Sequence, residues 1–395
     1  MKRLSLITGG ESHGPGLTAT LTGMPAGLEV DYELLRRDMA RRMHGYGRGN
    51  RMKIESDEVE VHGGVRGAVT LGSPLVLWVA NRDYKNWQPM MDPVETLPHR
   101  VEQRRVHQPR PGHTDLAGGL KYLHRDLRNV LERASARETA ARVAAGAFAK
   151  MLLRAVGCEL ASGVRSLGPV GLGGPVPTWQ DLEQVDDRSP LRAIRRDLEP
   201  EMVRLVDRAK EEGETLGGAV TVIAHGVPAG LGSHVQWDEK LDGRLAQAAL
   251  SVPAVKAVEI GAALTASAGF GSQAHDAIEP DGAGRWRRPT NRAGGLEGGV
   301  TNGEDLVLTL YKKPIATLRK GLPSIDLDTL EAHESQYERS DVTALPAAGV
   351  IGEAMVALVL ADALLDKLGG DSMSEVLAHW RQTLELQERW PGAPA

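Results

Sequence analysis

The chain has 395 residues, of which 41% are hydrophobic and 25% are charged, and its formal net charge is −5. This composition is typical of a folded globular protein, and the negative charge argues against a general nucleic-acid or membrane-surface binder. A single cysteine, Cys158, excludes an internal disulfide framework and a cysteine-based metal cluster.

The sequence lacks the features of a secreted or membrane protein. Only a few apolar residues precede Gly9 and Gly10, which is too few for a secretory signal. The longest apolar run, 354–361, spans less than half of the ~20 residues needed to cross a bilayer. We therefore expect a cytoplasmic protein with no membrane and no nucleic-acid partner.

The first predicted elements surround a glycine-rich loop. Apolar stretches at 2–8 and 17–22 predict two strands, and G-E-S-H-G at 10–14 lies between them. This loop places an acid, a hydroxyl and an imidazole on a backbone that glycine makes adaptable, which is typical of a catalytic loop. Asp31 then predicts the N-cap of an amphipathic helix, and Gly45 follows the end of that helix.

A basic stretch overlaps that helix and the loop after it. Seven cationic residues lie between Arg36 and Lys53, against one acid, Asp38. A solvated helix face explains the first of these cations. Arg48 and Arg51 lie in a glycine-rich loop, which gains little from charge unless an anion orders it. We interpret this loop as an anion clamp.

The rest of the chain alternates between predicted helices and strands without a linker. We predict strands and long loops at 54–112, a central alanine-rich helix at 126–154, a surface excursion at 168–200, strands at 215–224 and 306–311, and helices at 239–250 and 350–368. The prediction is one α+β domain over 1–395, a β-α-β sandwich with central helices between antiparallel sheets. Residues 371–395 form its terminal helix and tail.

Several common site types are not supported by the sequence. No G-x-G-x-x-G follows a strand and no G-x-x-x-x-G-K-[ST] occurs, so neither a Rossmann site nor a P-loop is predicted. The histidine spacings do not match a zinc site, and we expect no catalytic metal. Adjacent Ser12 and His13, without a G-x-S-x-G elbow, argue against a serine hydrolase.

Several sequence blocks together resemble the chorismate synthase family. They are G-E-S-H-G at 10–14, H-G-Y-G-R-G at 44–49, R-P-G-H at 110–113, R-A-S-A-R-E-T at 133–139, A-V-K-A-V-E-I-G at 254–261 and R-S-D at 339–341. The resemblance covers nearly the whole chain.

The resemblance implies a lyase that converts 5-enolpyruvylshikimate 3-phosphate to chorismate and phosphate, the last step of the shikimate pathway. It further implies a 1,4-anti-elimination with reduced FMN and no net redox change, NADPH as an indirect reductant, and a homotetramer. The substrate carries a phosphate and two carboxylates, and guanidinium groups bind both through paired hydrogen bonds. The expected substrate-binding residues are Arg42, Arg48, Arg51, Arg110, Arg137 and Arg339.

The resemblance also implies roles for individual side chains. His13 would be the general acid toward the leaving phosphate, and His113 would protonate or stabilise the anionic reduced flavin. Imidazole suits both roles because it titrates near neutral pH. Asp341 would take a proton from flavin N5, which accepts the hydrogen from substrate C6, while Ser12 and Ser135 would pass protons or fix the histidines. The residues implied to contact FMN are Arg133, Ala134, Ser135, Pro253, Ala254, Gly298, Lys313, Pro314, Ile315, Ala316, Thr317 and Arg339.

Alternatives remain open at this point. A noncatalytic anion-binding or RNA-binding protein could use the basic stretch at 36–53, but that stretch holds one aromatic residue, Tyr46, for stacking on bases. An oxidoreductase that uses flavin for net electron transfer would consume NADPH stoichiometrically. For Pro253 and Ala254, a simple corner between a helix and a strand explains the residues nearly as well.

Overall fold

A computed structural model of the chain describes residues 2–49, 57–338 and 341–390. Within these ranges the helices are α1 (Tyr32–Met43), α2 (Tyr84–Met91), α3 (Pro98–Arg104), α4 (Asp115–Tyr122), α5 (Arg128–Ala134), α6 (Thr139–Arg154), α7 (Trp179–Glu183), α8 (Glu199–Glu211), α9 (Leu241–Leu250), α10 (Ala263–Ser267), α11 (Gly271–Ala274), α12 (Leu345–Leu368) and α13 (Met373–Arg389). Short 3₁₀ turns lie at Ala136–Glu138 and Trp237–Glu239.

The described strands form two four-stranded sheets and several short hairpins. The strands are β1 (Ser5–Gly9), β2 (Gly16–Thr22), β3 (Val59–Gly63), β4 (Val65–Arg66), β5 (Val69–Thr70), β6 (Leu75–Ala80), β7 (Glu159–Leu167), β8 (Gly218–His225), β9 (Val255–Ile260), β10 (Glu279–Pro280), β11 (Trp286–Arg287), β12 (Leu296–Glu297), β13 (Val300–Thr301), β14 (Leu306–Lys312), β15 (Pro323–Ile325) and β16 (Ala332–Glu334). The prediction of a mixed α+β fold is confirmed.

The first sheet has the order β1-β2-β6-β3, with every neighbouring pair antiparallel. In β2, Leu17, Ala19 and Leu21 are buried and alternate with partly exposed residues, so one face of the sheet covers the core. The turn between β1 and β2 holds the 10–14 loop. The β1–β2 hairpin therefore sets the position of Ser12 and His13.

The second sheet has the order β7-β8-β14-β9, also antiparallel. Strand β14 lies between β8 and β9, and its Leu306, Leu308 and Leu310 are fully buried in the main core. The pairing of β14 with β9 shifts register between Tyr311 and Lys312, at the strand's last residue. Strand β14 therefore ends where its pairing with β9 becomes irregular.

Two helices, α6 and α12, pack against each other. Helix α6 also packs against β2 and β6 of the first sheet, and α12 packs against β7 and β8 of the second. Small residues allow the close approach: a Cβ placed on Gly146 would lie 2.4 Å from the Cβ of Ala354. By length and composition α12 could span a bilayer, yet 94% of its most apolar window is buried inside the protein. It is a core helix. The prediction of a central alanine-rich helix is confirmed for α6.

The far end of α12 holds the start of the first strand. The buried carboxylate of Asp362 accepts hydrogen bonds from the backbone N–H groups of Lys2, Arg3 and Leu4, at 3.0, 2.7 and 2.7 Å. Arg244 also donates to this carboxylate. The chain ahead of β1 is thereby fastened to the central helix.

The predicted helix at 126–154 is wrong in one respect, because it is interrupted at Ser135. Ser135 is extended, with φ −63° and ψ 141°, and its side chain accepts a hydrogen bond from the backbone N–H of Arg137. Serine favours such N-cap geometry over a helix interior because its oxygen competes for backbone donors. The interruption separates α5 from α6. The second apolar helix starts at Leu345 rather than 350, with Pro346 in its first turn.

The segment 168–200 is not the loose excursion that its composition suggested. Trp179 and Leu182 of α7 are buried in a small second core with Ile223 of β8. Arg192 is 1% exposed and donates to the carbonyl of Ser162 at 2.8 Å. Composition failed here because a few large side chains anchor an otherwise polar segment.

Candidate active site

A cavity of about 820 Å³ lies where the 10–14 loop, the interruption at Ser135, the end of β14 and the start of α12 meet. Among the described residues, ten arginine and lysine side chains and four carboxylates line it. The cations are Arg42, Arg48, Arg104, Arg110, Arg128, Arg133, Arg137, Arg142, Lys312 and Lys313, and the carboxylates are Asp83, Glu138, Glu338 and Asp341. The lining carries an excess of positive charge, which favours an anionic ligand.

His13 is held on two sides. Its ring stacks on Trp87 with the centroids 3.8 Å apart, and its Nδ1 lies 2.8 and 3.0 Å from the two carboxylate oxygens of Glu132. Its backbone N–H donates to the same carboxylate at 2.8 Å. Because Glu132 occupies Nδ1, proton exchange with a ligand in the cavity would use Nε2.

Glu132 is a buried carboxylate that remains ionised. Burial alone would raise its pKa, but the hydrogen bonds and positive charge of His13 and Arg128 outweigh burial and lower it. Arg128 donates to Glu132 at 3.3 Å and to Glu338 at 2.7 Å, and its guanidinium lies 5.1 Å from the Trp87 ring centroid. Glu132 and Trp87 were not identified as site residues from the sequence. The available signal for Glu132 was its position immediately before the 133–139 block.

His113 has an equivalent carboxylate partner. Its Nδ1 lies 2.6 Å from Asp115, whose carboxylate is completely buried and also accepts two hydrogen bonds from the Arg110 guanidinium at 2.8 and 3.0 Å. Burial would raise the pKa of Asp115, but His113 and Arg110 together lower it strongly. Arg110 also donates to Thr317 at 2.8 Å. Much of the donor capacity of Arg110 therefore holds the site together.

Arg42 and Arg137 share one carboxylate. Asp57 accepts from Arg42 at 2.7 Å and from Arg137 through its other oxygen, and Arg137 also donates to Asn81 at 2.9 Å. Burial lowers the pKa of Arg42 to about 10, because the attraction of Asp57 is opposed by the charges of Arg137 and Arg48. Among the described residues, Asp57 thus serves two guanidinium groups in this part of the cavity. Asp57 was not identified from the sequence.

Asp341 reaches the cavity from the segment before α12. Its Oδ1 accepts the backbone N–H of Gly49 at 2.6 Å, and its Oδ2 lies 3.3 Å from Nε of Arg48. The predicted clamp loop and the predicted carboxylate are therefore in contact. Two further predicted substrate-binding residues, Arg51 and Arg339, lie outside the described residues.

The two predicted serines meet at the cavity wall. Ser12 is 1% exposed and its hydroxyl donates to Ser135 at 3.0 Å. Arg133, next to the interruption, donates to the carbonyls of Thr8 and Gly10 at 2.9 and 3.0 Å. The β1–β2 hairpin is thereby tied to α5.

Most residues implied to contact FMN line the same cavity. They are Arg133, Ala134, Ser135, Pro253, Ala254, Lys313, Ile315, Ala316 and Thr317. Ala254 has a left-handed φ of +67° in the turn between α9 and β9, a strained backbone for a residue with a side chain. Its carbonyl accepts the N–H of Lys313 at 2.9 Å.

Two of the residues implied to contact FMN do not line the cavity. Pro314 is not among the lining residues, although both of its neighbours are. Gly298 lies at the exposed turn of the β12–β13 hairpin and does not line the cavity either. A glycine run before a strand is a common hairpin signal, and the structure gives it that role here.

Among the described residues, His107, Asp326 and Asp328 place ligand atoms within 4.8 Å of one another. Asp328 is engaged by two hydrogen bonds from Arg105, each 2.7 Å long, and Asp326 accepts the N–H of Asp328 at 2.9 Å. Both carboxylates therefore have partners within the protein.

The chain is similar to one known protein family along most of its length. The family profile described as "Chorismate synthase" matches residues 4–365. A chorismate synthase from Moorella thermoacetica is 52% identical over 392 residues, covering 97% of this chain and 99% of that protein. One from Geobacter sulfurreducens is 49% identical over 389 residues, covering 97% and 98%.

A comparison of folds agrees with the sequence comparison. A solved structure described as "Crystal Structure of Chorismate Synthase" superposes with a TM-score of 0.76 at 39% identity, covering 97% of each chain. The similarity extends across both sheets and the central helices.

Proposed function

The chain belongs to the chorismate synthase family, whose members are carbon–oxygen lyases acting on phosphates (EC 4.2.3.5), and we propose that it converts 5-enolpyruvylshikimate 3-phosphate to chorismate and phosphate. The reaction is a 1,4-anti-elimination that needs reduced FMN without net redox change. The observation that carries the proposal is the convergence of His13, His113 and Asp341 on one cation-rich cavity.

The size and charge of the cavity support two anionic ligands bound together. A single drug-sized ligand occupies a pocket of roughly 300–1,000 Å³. A volume of about 820 Å³ near the upper end of that range leaves room for a flavin beside a small phosphorylated substrate. Arginine and lysine in excess over carboxylates would neutralise two phosphates and two carboxylates.

The wall residues fit FMN. Small and apolar side chains of Ala134, Pro253 and Ala316 offer a surface for a flat ring, and Arg133 and Lys313 offer cations for its phosphate. Thr317 and Ser135 add hydroxyls, and Ala254 and Ile315 complete the surface. Reduced FMN, when bound, supplies an electron transiently to the substrate.

The chain's own groups would handle the protons. We assign His13 as the general acid whose Nε2 gives a proton to the leaving phosphate, with Glu132 fixing the ring and balancing its charge. His113, held by Asp115, would protonate or stabilise the anionic reduced flavin. Asp341 would take up the proton that the substrate loses, and the hydrogen-bonded pair Ser12 and Ser135 would pass protons or fix the histidines.

Arg42, Arg48, Arg110 and Arg137 would orient the substrate, together with Arg51 and Arg339, and Gly298 and Pro314 are retained as flavin contacts only by resemblance. The proposal further includes a β-α-β sandwich fold in a single domain, a cytoplasmic location, a homotetramer, and NADPH as an indirect source of electrons. The position of α6 and α12 between the two sheets supports the sandwich.

The experiment is an oxygen-free assay with chemically reduced FMN that follows phosphate release from 5-enolpyruvylshikimate 3-phosphate. We expect one chorismate per phosphate, a loss of rate in air and no stoichiometric consumption of NADPH. Wild-type protein that releases no phosphate under these conditions would refute the proposal. Stoichiometric NADPH oxidation would favour the oxidoreductase alternative.

A further inference from the structure

A lysine occupies a core-facing position at the end of the central strand of the second sheet. In β14, Leu306, Leu308 and Leu310 face the core, and alternation places Lys312 on the same face. Pairing with β8 continues in register to Lys312, which lies opposite Gly218. The register shift against β9 therefore leaves this alternation in β14 intact, and the lysine side chain lines the cavity.

Lys312 is buried without a partner of its own. It is 8% exposed, and its ammonium makes no hydrogen bond or ion pair with any other residue in the described ranges. Lys150 is a buried lysine whose charge is compensated by carboxylates. It is 5% exposed, and its ammonium lies 2.5 Å from Asp38 and 2.6 Å from Glu353. A buried ammonium without a counter-charge is costly, because burial removes much of its hydration.

Among the described residues, the surroundings of Lys312 supply only part of the missing negative charge. Burial lowers its pKa to about 8, the attraction of Asp341 opposes that effect, and the charges of Arg48 and Lys313 add to it. The start of α12 contributes only apolar side chains to the cavity wall, from Ala344 to Ile351. Gly218 of β8 and Val255 of β9, which pair with Lys312, carry no charge.

We propose that Lys312 is a ligand-binding residue whose ammonium forms an ion pair with an anionic oxygen of the bound flavin or of the phosphorylated substrate. The inference rests on the proposed function and deepens it. Both ligands carry such oxygens, and the buried ammonium recognises the shared chemistry. A ligand anion would provide the counter-charge that the described residues lack.

Proton uptake follows from this assignment. Below pH 8 the amine is charged before the ligand arrives, so binding takes up no proton. At pH 9 most of the free protein carries a neutral amine, and formation of the ion pair requires that it gains a proton from the solution. Affinity for the recognised ligand should therefore fall up to tenfold per pH unit above pH 8, whereas a side chain that only fills space gives no such slope.

The test is isothermal titration of the full-length protein with three probes: FMN, riboflavin and 5-enolpyruvylshikimate 3-phosphate. Each titration is run at pH 7 and pH 9, in two buffers of different ionisation enthalpy, so that the protons taken up are counted. The variants are Lys312→Met, which keeps the length without the charge, and Lys312→Arg, which keeps the charge but does not titrate in this range. Lys367→Met, which removes an exposed charge in the last turn of α12 and away from the cavity lining, is the matched control.

For at least one probe we expect wild-type protein to take up close to one proton at pH 9. Lys312→Met should bind that probe at least tenfold more weakly at pH 7 and take up correspondingly fewer protons at pH 9. Lys312→Arg should bind it without the uptake, and Lys367→Met should behave as wild type. An effect on FMN but not riboflavin identifies the flavin phosphate, an effect on both identifies the flavin ring, and an effect on the substrate alone identifies the substrate.

Folded Lys312→Met protein that binds all three probes with wild-type affinity and pH dependence would overturn the inference and leave the proposed function intact. Wild-type protein that binds neither FMN nor the phosphorylated substrate would overturn both. Far-ultraviolet circular dichroism and thermal unfolding establish that each variant is folded.

Discussion

Two neighbouring arginines of α1 meet opposite electrostatic surroundings. Arg41 lies in a closed cluster, where its guanidinium contacts Asp38 at 3.0 Å and Glu353 at 2.8 Å. Arg42, the next residue, faces the cavity and shares Asp57 with Arg137. Both side chains are buried, yet the pKa of Arg41 is raised well above its ordinary value, whereas that of Arg42 is lowered to about 10.

The difference lies in how the charges are balanced. Burial opposes ionisation of both arginines, but in the closed cluster the carboxylates of Glu353, Asp38 and Asp187 outweigh it. Among the described residues that line the cavity, cations outnumber carboxylates, and the charges of Arg137 and Arg48 repel that of Arg42. Balanced charge in the interior contributes to a specific packing, and unbalanced charge beside a cavity prepares a place for a ligand.

The closed cluster should break when its central carboxylate is neutralised. In Glu353→Gln, Arg41 and Lys150 lose the charge that compensates their burial. We expect the free energy of unfolding to fall by about 3–5 kcal/mol, measured by urea denaturation. Glu33→Gln, which removes the exposed partner of Arg36, is the control and should change stability by less than about 0.5 kcal/mol. A loss below 1 kcal/mol in Glu353→Gln would argue against a tightly coupled cluster.

Removal of either cavity histidine should lower turnover. We expect His13→Ala and His113→Ala to lower kcat by about 10²–10⁴-fold, because each removes a group positioned for proton transfer or charge stabilisation. His113→Ala should retain substrate binding, measured by titration with the phosphorylated substrate. His62→Ala, at an exposed histidine that contacts Glu60, should behave as wild type. Full turnover in His113→Ala would exclude its assigned role.

Lys312→Met should stabilise the ligand-free protein at neutral pH. The pKa of Lys312 is lowered from 10.5 to about 8 in the folded state, so between these values the unfolded chain binds more protons and wild-type stability rises with pH. Below pH 8 both states are charged, and the folded state carries the full burial penalty, on the order of 3 kcal/mol. We expect the variant's advantage, followed by thermal unfolding from pH 7 to 10.5, to shrink toward high pH. An advantage that is independent of pH would indicate a packing effect.

The smallest expected change is in Glu132→Gln. Glutamine still accepts a hydrogen bond from Nδ1 of His13 but cannot balance a positive ring, so kcat should fall by roughly 10- to 100-fold with KM unchanged. The lowered pKa of Glu132 means that its ionised form stabilises the fold above about pH 4.3, and that this contribution is lost as the pH falls through the folded-state pKa. Equal stability of wild type and variant at pH 7 would contradict this.

The sequence pointed to the proposed reactive groups better than to their supports. His13 and His113 lie in the glycine-containing blocks at 10–14 and 110–113, and Asp341 lies in R-S-D at 339–341, and these blocks carry the family resemblance. Glu132 and Trp87, which hold His13, lie in ordinary helical sequence, and only the fold brings them to the ring. For Glu132 the one available signal was its position before the 133–139 block, and Trp87 had no such signal.

The central helices and paired strands were predictable from apolar periodicity, while interruptions were not. Ser135 breaks a helix that alanine propensity favours on both sides, since a local hydrogen bond to the backbone competes with helix formation. Lys312 appeared in the sequence only as the residue after an apolar strand. Its burial becomes visible once the alternation of β14 is known.

The hold of Asp362 on residues 2–4 has a practical consequence for anyone preparing this protein. Those residues lead directly into β1, and β1 leads to the loop that carries His13. A purification tag joined at the amino end would crowd this anchor and could disturb the imidazole from a distance. A tag placed after α13 avoids that strand altogether.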